Sequence, residues 1–284
     1  MTLDNLAQLE GKRVIITGVS SGIGEQLMRE AAERGAKIVG TYLHTRPADY
    51  AHDNVVQRRM DAGEVLPALV ESNADLFLEL LGGKPDIVVY NAGVFRATHH
   101  FSDARLSDRA REWKETLQTN FMGPYFLFEA LLAKTGMDHH AVHAFTGSVA
   151  RPVQQKFTER ADYLPTPGKG CKGLAPYSVA RTAAHDLAHS VNNEVAFLHG
   201  VDAPVQTRIA LVEYQFVPSK VGDGVVVTLG VPNGEVAAQL TPHGRPVDAN
   251  LAARLALSAI VDRYNLSPGA KMGDTLIPPV GYKG

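Results

Sequence analysis

The chain has 284 residues, 45% of them hydrophobic and 20% charged, which suits one α/β domain with a full core, and no internal repeat divides it. A net charge of −2 excludes a general electrostatic attraction to nucleic acid or to an acidic membrane. The single cysteine, Cys171, excludes an intrachain disulfide.

Residues 1–12 are mixed polar and acidic and lack the basic start and apolar core of a signal peptide. The first strand is expected at Arg13–Thr17, and it breaks into Gly18-x-x-x-Gly22-x-Gly24 before a helix-like segment. Gly18 lets the backbone turn, Gly22 leaves room for a diphosphate, and Gly24 lets helix and strand pack closely. The free N–H groups at the start of that helix, with its dipole, favour an anion. Lys37–Tyr42, Ile87–Tyr90, 141–146, 208–212 and 275–278 read as further strands, with amphipathic stretches between most of them. The alternation predicts an α/β fold, a doubly wound, Rossmann-like parallel sheet in a single domain over 1–284.

Two helices stand out, 108–133, ending near Gly136, and 177–199, ending at Gly200. Both carry more apolar surface than one buried stripe needs, so a homodimer or homotetramer is expected. The most apolar long window, 121–133, contains Gly123, Pro124 and Glu129 and is too short to span a bilayer, so the expectation is a cytoplasmic protein. Residues 151–176 and 221–248 are punctuated by proline and glycine and follow predicted strands. Open α/β sheets bind ligands at that edge, and 151–176 is the expected inserted loop on the substrate side.

Five motifs follow one another along the chain: Thr17-Gly18-x-x-x-Gly22-x-Gly24, Asn91-Ala92-Gly93, Asn120 in Thr119-Asn120-Phe121-Met122-Gly123, Ser148 in Thr146-Gly147-Ser148, and Tyr177-Ser-Val-Ala-Arg181. Together they resemble the short-chain dehydrogenase/reductase family over nearly the whole length. The resemblance implies that Tyr177 donates a proton to a substrate carbonyl as hydride arrives from nicotinamide, or accepts one from an alcohol in reverse. It implies that Ser148 holds the substrate oxygen and that Asn120 supports the water chain that supplies protons. Arg181 lies four positions after Tyr177, on the same helix face, where a fixed cation favours tyrosinate and reaches the nicotinamide ribose. The implied cofactor contacts are Gly18, Ser20, Ser21, Gly22, Ile23 and Gly24 around the diphosphate. Asp61 and Ala62 would lie at the adenine edge, with Asn91, Ala92, Gly93, Tyr177 and Arg181 along the rest.

The chain departs from the family pattern in several places. Lysine is usual where Arg181 stands; guanidinium can still polarise Tyr177 and bond ribose hydroxyls, but it does not readily relay a proton. Halohydrin dehalogenases use a Ser–Tyr–Arg set on this fold without redox chemistry, yet they lack the glycine cradle that this chain keeps. The expected activity is NADP(H)-dependent interconversion of a carbonyl and an alcohol on a small molecule. A non-redox lyase or dehalogenase-like reaction and a nucleotide-binding protein with lost catalysis stand as alternatives. Tyr42 sits where NAD-preferring members carry an acid, and Arg46 offers a cation for a 2′-phosphate, so NADP is expected ahead of NAD. Tyr214-Gln215 replaces the usual Pro-Gly, which puts Val217 and Ser219 at the carboxamide and phosphate contacts. Ser148 and Tyr177 stand 29 positions apart, more than the family's usual gap, so 151–176 must loop out and return. The pairs His99-His100 and His185-x-x-x-His189 and the group His139-His140-x-x-His143 lack matching carboxylate or cysteine partners, and no metal site is expected.

Overall fold

The computed structural model describes residues 4–47, 50, 52–95, 105–148, 175–199, 207–214, 248–265 and 276–277. Among the described residues, seven strands form one sheet: β1 (Arg13–Thr17), β2 (Lys37–Tyr42), β3 (Val55–Arg59), β4 (Ile87–Tyr90), β5 (Ala141–Ser148), β6 (Thr207–Tyr214) and β7 (Leu276–Ile277). Their spatial order is β3-β2-β1-β4-β5-β6-β7 and every pairing is parallel. The helices are α1 (Gly22–Glu33), α2 (Pro67–Leu81), α3 (Leu106–Leu117), α4 (Gly123–Thr135), α5 (Ala175–His199) and α6 (Ala249–Tyr264). The doubly wound, Rossmann-like expectation holds. The order reverses between β1 and β4, so the connections leaving their carboxyl ends part to opposite faces and open a crevice.

Helices on both faces explain why the central strands are apolar at consecutive positions rather than alternating. Val14, Ile15 and Ile16 of β1 are all fully buried. Their alternating directions divide two cores. Val14, Ile16, Val89 and Val142 join Leu27 and Met28 of α1 and the alanine-rich face of α6. Ile15, Val88, Phe145 and Leu211 join Phe77 of α2 and Leu127, Phe128 and Leu131 of α4. Among the described residues, no helix is long and apolar enough to cross a membrane.

Several boundaries differ from expectation. β3 was not anticipated: Arg58 and Arg59 are exposed, and only Val55 and Val56 carry a strand signal. The strands expected at 141–146 and 208–212 each run to eight residues, and of that expected at 275–278 the described residues are Leu276–Ile277, both in strand. The segment 108–133 is α3 and α4 joined by a wide π-turn, Gln118–Met122. Pro124 has no N–H to give to the preceding turn and its ring crowds it, and a wider turn relieves both constraints. Pro176, expected to close the 151–176 loop, instead lies in the first turn of α5, which starts at Ala175; proline is tolerated there, where N–H groups lack intrahelical partners, and residues 151–174 lie outside the described residues. Gly200 and residues 221–247 lie outside the described residues.

The histidine group 139–143 is tied into the framework. His139 Nε2 lies 2.8 Å from the Pro85 carbonyl oxygen, and His140 Nε2 lies 2.7 Å from that of Tyr264 while its ring stacks on Tyr264. His143 is fully buried on β5 and shares a 2.9 Å hydrogen bond with the Tyr90 hydroxyl. Burial, reinforced by the charge of His139, lowers its pKa from 6.5 to about 3. The unfolded chain therefore takes up a proton that the folded chain refuses between those values. This contribution to stability is complete above pH 6.5 and is lost as pH falls toward 3. His143→Gln, which keeps a partner for Tyr90 but does not titrate, should remove about 1.4 kcal/mol of stability loss per pH unit in that window. Urea unfolding of both proteins at pH 7 and pH 4.5 reads the difference.

Candidate active site

The crevice begins where β1 ends. Gly18 takes φ +74° and Gly22 φ +63°, a left-handed conformation that side chains with a Cβ resist. A Cβ on Gly18 would also lie 2.6 Å from Ala92 Cα, and one on Gly24 would run into the Gly18 carbonyl and the Asn91 amide. Gly24 thus serves the close packing expected of it, while the turn is made by Gly18 and Gly22 together. Val19 N–H donates to the Thr41 carbonyl at 2.8 Å, which ties the turn to β2. Ser20, Ser21 and Ile23 lie half-buried along it. Ser21 holds the N-cap position of α1 in extended conformation without capping the helix through its side chain. The first amides of α1 therefore have no side-chain acceptor from that residue, which fits an anion cradle.

The loop after β4 is fastened to this turn. Asn91 Nδ2 donates to the carbonyls of Thr17 (3.2 Å) and Gly18 (3.1 Å), and Ala92 N–H donates to Thr17 Oγ1 at 3.0 Å. Further along, Asn120 is 2% exposed and lies in the π-turn. Its side chain accepts from Val94 N–H and donates to the Val94 carbonyl, both at 2.8 Å. Both polar atoms of the Asn120 amide are therefore engaged with the backbone that follows Gly93.

Helix α5 supplies Tyr177 and Arg181, 8% and 7% exposed. The guanidinium carbon lies 5.3 Å from the Tyr177 ring centroid, and Phe95 meets that ring edge-on at 5.5 Å. Arg181 Nη1 donates to the Thr146 carbonyl at 2.7 Å and to Thr146 Oγ1 at 3.0 Å, and Nη2 lies against Gly93. Ser148 ends β5, in register with Tyr214. The sheet thus brings the Thr146–Ser148 stretch alongside the helix that carries Tyr177, despite the long separation in sequence.

At the other end, Tyr42 closes β2 in register with Arg59. Arg46 is exposed, and its Nε donates to Gln57 at 3.0 Å. Arg59, which stands in none of the sequence motifs, donates from Nε to the Leu43 carbonyl at 3.0 Å. Gln57 and Arg59 share one face of β3, so the two arginine bonds lace the 43–46 turn to the same face of that strand. Asp61 Oδ1 accepts from Gly63 N–H at 2.8 Å. The Ala62 carbonyl packs on Gly123 so closely that a Cβ there would collide with it. Val217 and Ser219 lie outside the described residues.

The short chain dehydrogenase family profile matches residues 12–157, which span the cradle, the Asn91 loop, Asn120 and Ser148. The chain belongs to this family. It is an oxidoreductase of the short-chain dehydrogenase/reductase kind. Over 192 residues it is 33% identical to the 3-oxoacyl-[acyl-carrier-protein] reductase FabG of Vibrio cholerae, covering 66% of this chain and 69% of that protein. It is 28% identical over 191 residues to the protein of the same name from Escherichia coli, covering 66% and 68%. A short-chain dehydrogenase/reductase (glucose/ribitol dehydrogenase) from Brucella melitensis superposes with a TM-score of 0.69 at 19% identity, over 97% of this chain and 98% of that one. A short chain dehydrogenase from Burkholderia cenocepacia, in complex with NADP, superposes with a TM-score of 0.66 at 20% identity, over 94% and 95%.

The packing beneath the family's cradle predicts a stability effect. Gly24→Ala should cost about 1–3 kcal/mol, because the new methyl must displace the Gly18 carbonyl or the Asn91 amide. Chemical denaturation measures it, and an unchanged midpoint would show that the turn yields freely.

Proposed function

We propose that this oxidoreductase interconverts a carbonyl and an alcohol on a small organic substrate using NADP(H), with NAD(H) the weaker cofactor. The observation that carries the reading is the buried Tyr177–Arg181 pair set beside Gly93, at the far end of a crevice whose near end is the glycine turn. The residues present fit a dinucleotide. Gly18 and Ser20 to Gly24 would hold the diphosphate, Asp61 and Ala62 the adenine edge, and Asn91 to Gly93 the middle of the molecule. Tyr177 and Arg181 would hold the nicotinamide ribose, with Val217 and Ser219 on the carboxamide side. When bound, the cofactor supplies hydride for reduction or takes it in oxidation.

The chain's own part is protonic and positional. Ser148 would hold the substrate oxygen by hydrogen bond. The Tyr177 hydroxyl would give that oxygen a proton as the carbonyl carbon receives hydride, or remove it from an alcohol in the reverse direction. Arg181 would stabilise the tyrosinate left behind, and Asn120 would hold the loop after Gly93 in place. The name of the Vibrio and Escherichia relatives, a 3-oxoacyl reductase, supports carbonyl reduction as the reaction class. No observation among the described residues favours a dehalogenase-like elimination or a catalytically silent binding protein.

Arg46 and Arg59 support NADP, since two guanidinium groups beside the end of β2 suit a phosphate monoester and no carboxylate stands at Tyr42 to bond a ribose hydroxyl. The same reading takes 1–284 as one cytoplasmic domain, with residues 151–174 as a loop on the substrate side. Assembly as a homodimer or homotetramer is supported by exposed Leu106 on α3 and Val179 on α5.

Fluorescence titration of the protein with NADPH and NADH tests the reading. Both should bind, NADPH more tightly, and failure to bind either would remove hydride transfer. Arg46→Gln and Arg59→Gln should each narrow the NADPH preference by about tenfold, the scale of one charged hydrogen bond. Arg181→Met should depress turnover followed at the nicotinamide absorbance across a panel of small ketones and alcohols. Product formed without an absorbance change would point to non-redox chemistry.

A further inference from the structure

We infer that Thr146 is a positioning residue for the site, acting through Arg181. This rests on the proposed role of Arg181 at the nucleotide. Thr146 is 3% exposed and stands on β5 two residues before Ser148. Its hydroxyl donates to the Tyr90 carbonyl at 3.0 Å, which commits its one proton and turns its remaining lone pairs to Arg181 Nη1, 3.0 Å away. The Thr146 carbonyl accepts from the same nitrogen at 2.7 Å. One side chain therefore joins three separate elements: the end of β4 where the Asn91 loop begins, the end of β5 that leads to Ser148, and the helix that carries Tyr177.

The nature of the partners matters as much as their number. Both acceptors on Nη1 are neutral oxygens, so they fix the guanidinium without cancelling its charge. A carboxylate in the same place would hold the group equally well and would neutralise the field that Tyr177 and a bound ribose are to feel. The planar fork divides the work: Nη1 is held by Thr146 while Nη2 lies at Gly93, facing the Asn91–Gly93 loop. A lysine ammonium has one nitrogen for both tasks. Thr146 thus explains how arginine serves at position 181, and it makes residues 146 and 181 a coupled pair.

NADPH affinity, read by fluorescence titration, tests the coupling without a known substrate. Thr146→Val keeps the branched shape and removes the hydroxyl, and it should weaken NADPH binding about tenfold. Thr146→Ser should bring the affinity back to within about threefold of the original, since it restores the hydroxyl. In an Arg181→Met background the valine change should add almost nothing, because the group it positions is gone. If the valine chain does not fold by thermal melt, Thr146→Cys takes its place, of similar volume with a poor acceptor. Undiminished affinity in the valine or cysteine variant, alongside a loss in Arg181→Met, would overturn the inference and leave the proposed function standing. Losses that multiply independently in the double variant would overturn it equally, since they would mark a merely structural threonine. A wild-type chain that binds no nucleotide would instead remove the proposed function, and this inference with it.

Discussion

The side-chain bonds that join the ends of β1 and β4 are the constraint on which the rest of the site depends. The two strands pair only as far as Ile16 opposite Val89, because beyond that point their connections part toward opposite faces of the sheet. Backbone groups that a continued ladder would have satisfied are left at a buried junction, where an unpaired amide costs about 1–3 kcal/mol. Thr17 and Asn91 resolve this locally. Thr17 accepts from Ala92 N–H, and Asn91 caps the carbonyls of Thr17 and Gly18. These bonds tie the end of β1 to the loop after β4, and they require a Gly18 without a side chain and a Gly24 that leaves room for the Asn91 amide. The glycine pattern and the Asn91 motif are two halves of one joint.

A second layer of anchoring sits below. Tyr90, the last residue of β4, stacks on Phe145 at 4.5 Å, shares its hydroxyl with His143 and accepts Thr146 at its carbonyl. Phe128 of α4 closes the cluster edge-on against His143 and Phe145. The residue that launches the Asn91–Gly93 loop is thereby held by ring, hydroxyl and backbone at once, and the loop starts from a fixed point. Asn120 completes the restraint from the other side by binding both backbone groups of Val94.

What could be read from sequence was local in origin. The strands β1, β2 and β4 were anticipated to the residue because their apolar runs are short, buried on both faces and bounded by turn chemistry. Tyr177 and Arg181 were placed on one helix face by spacing alone. The π-turn was not legible, since its cause is Pro124 acting on the turn before it inside an otherwise helical pattern. Strand β3 is hidden by Arg58 and Arg59, whose exposure goes with its edge position among the described strands. Arg59 and Thr146 are illegible for a different reason: each acts through a contact with a residue distant in the chain, Arg59 stands in no motif, and Thr146 enters its motif only as a neighbour of Ser148.

Arginine at position 181 also determines how a buried cation is held. An ammonium group is mobile on its stem and divides its donors among whatever lies near, whereas a guanidinium needs several acceptors in one plane. Here that plane is filled on one edge by a strand end, through the carbonyl and hydroxyl of Thr146. The strand end is itself fixed by its register with β4 and β6, Thr146 lying opposite Val212. The charge beside Tyr177 is consequently located by the sheet rather than by the flexibility of its own side chain. Such an arrangement places a cation through bonds that the fold itself supplies. The placement of that charge is in this way a property of the folded sheet.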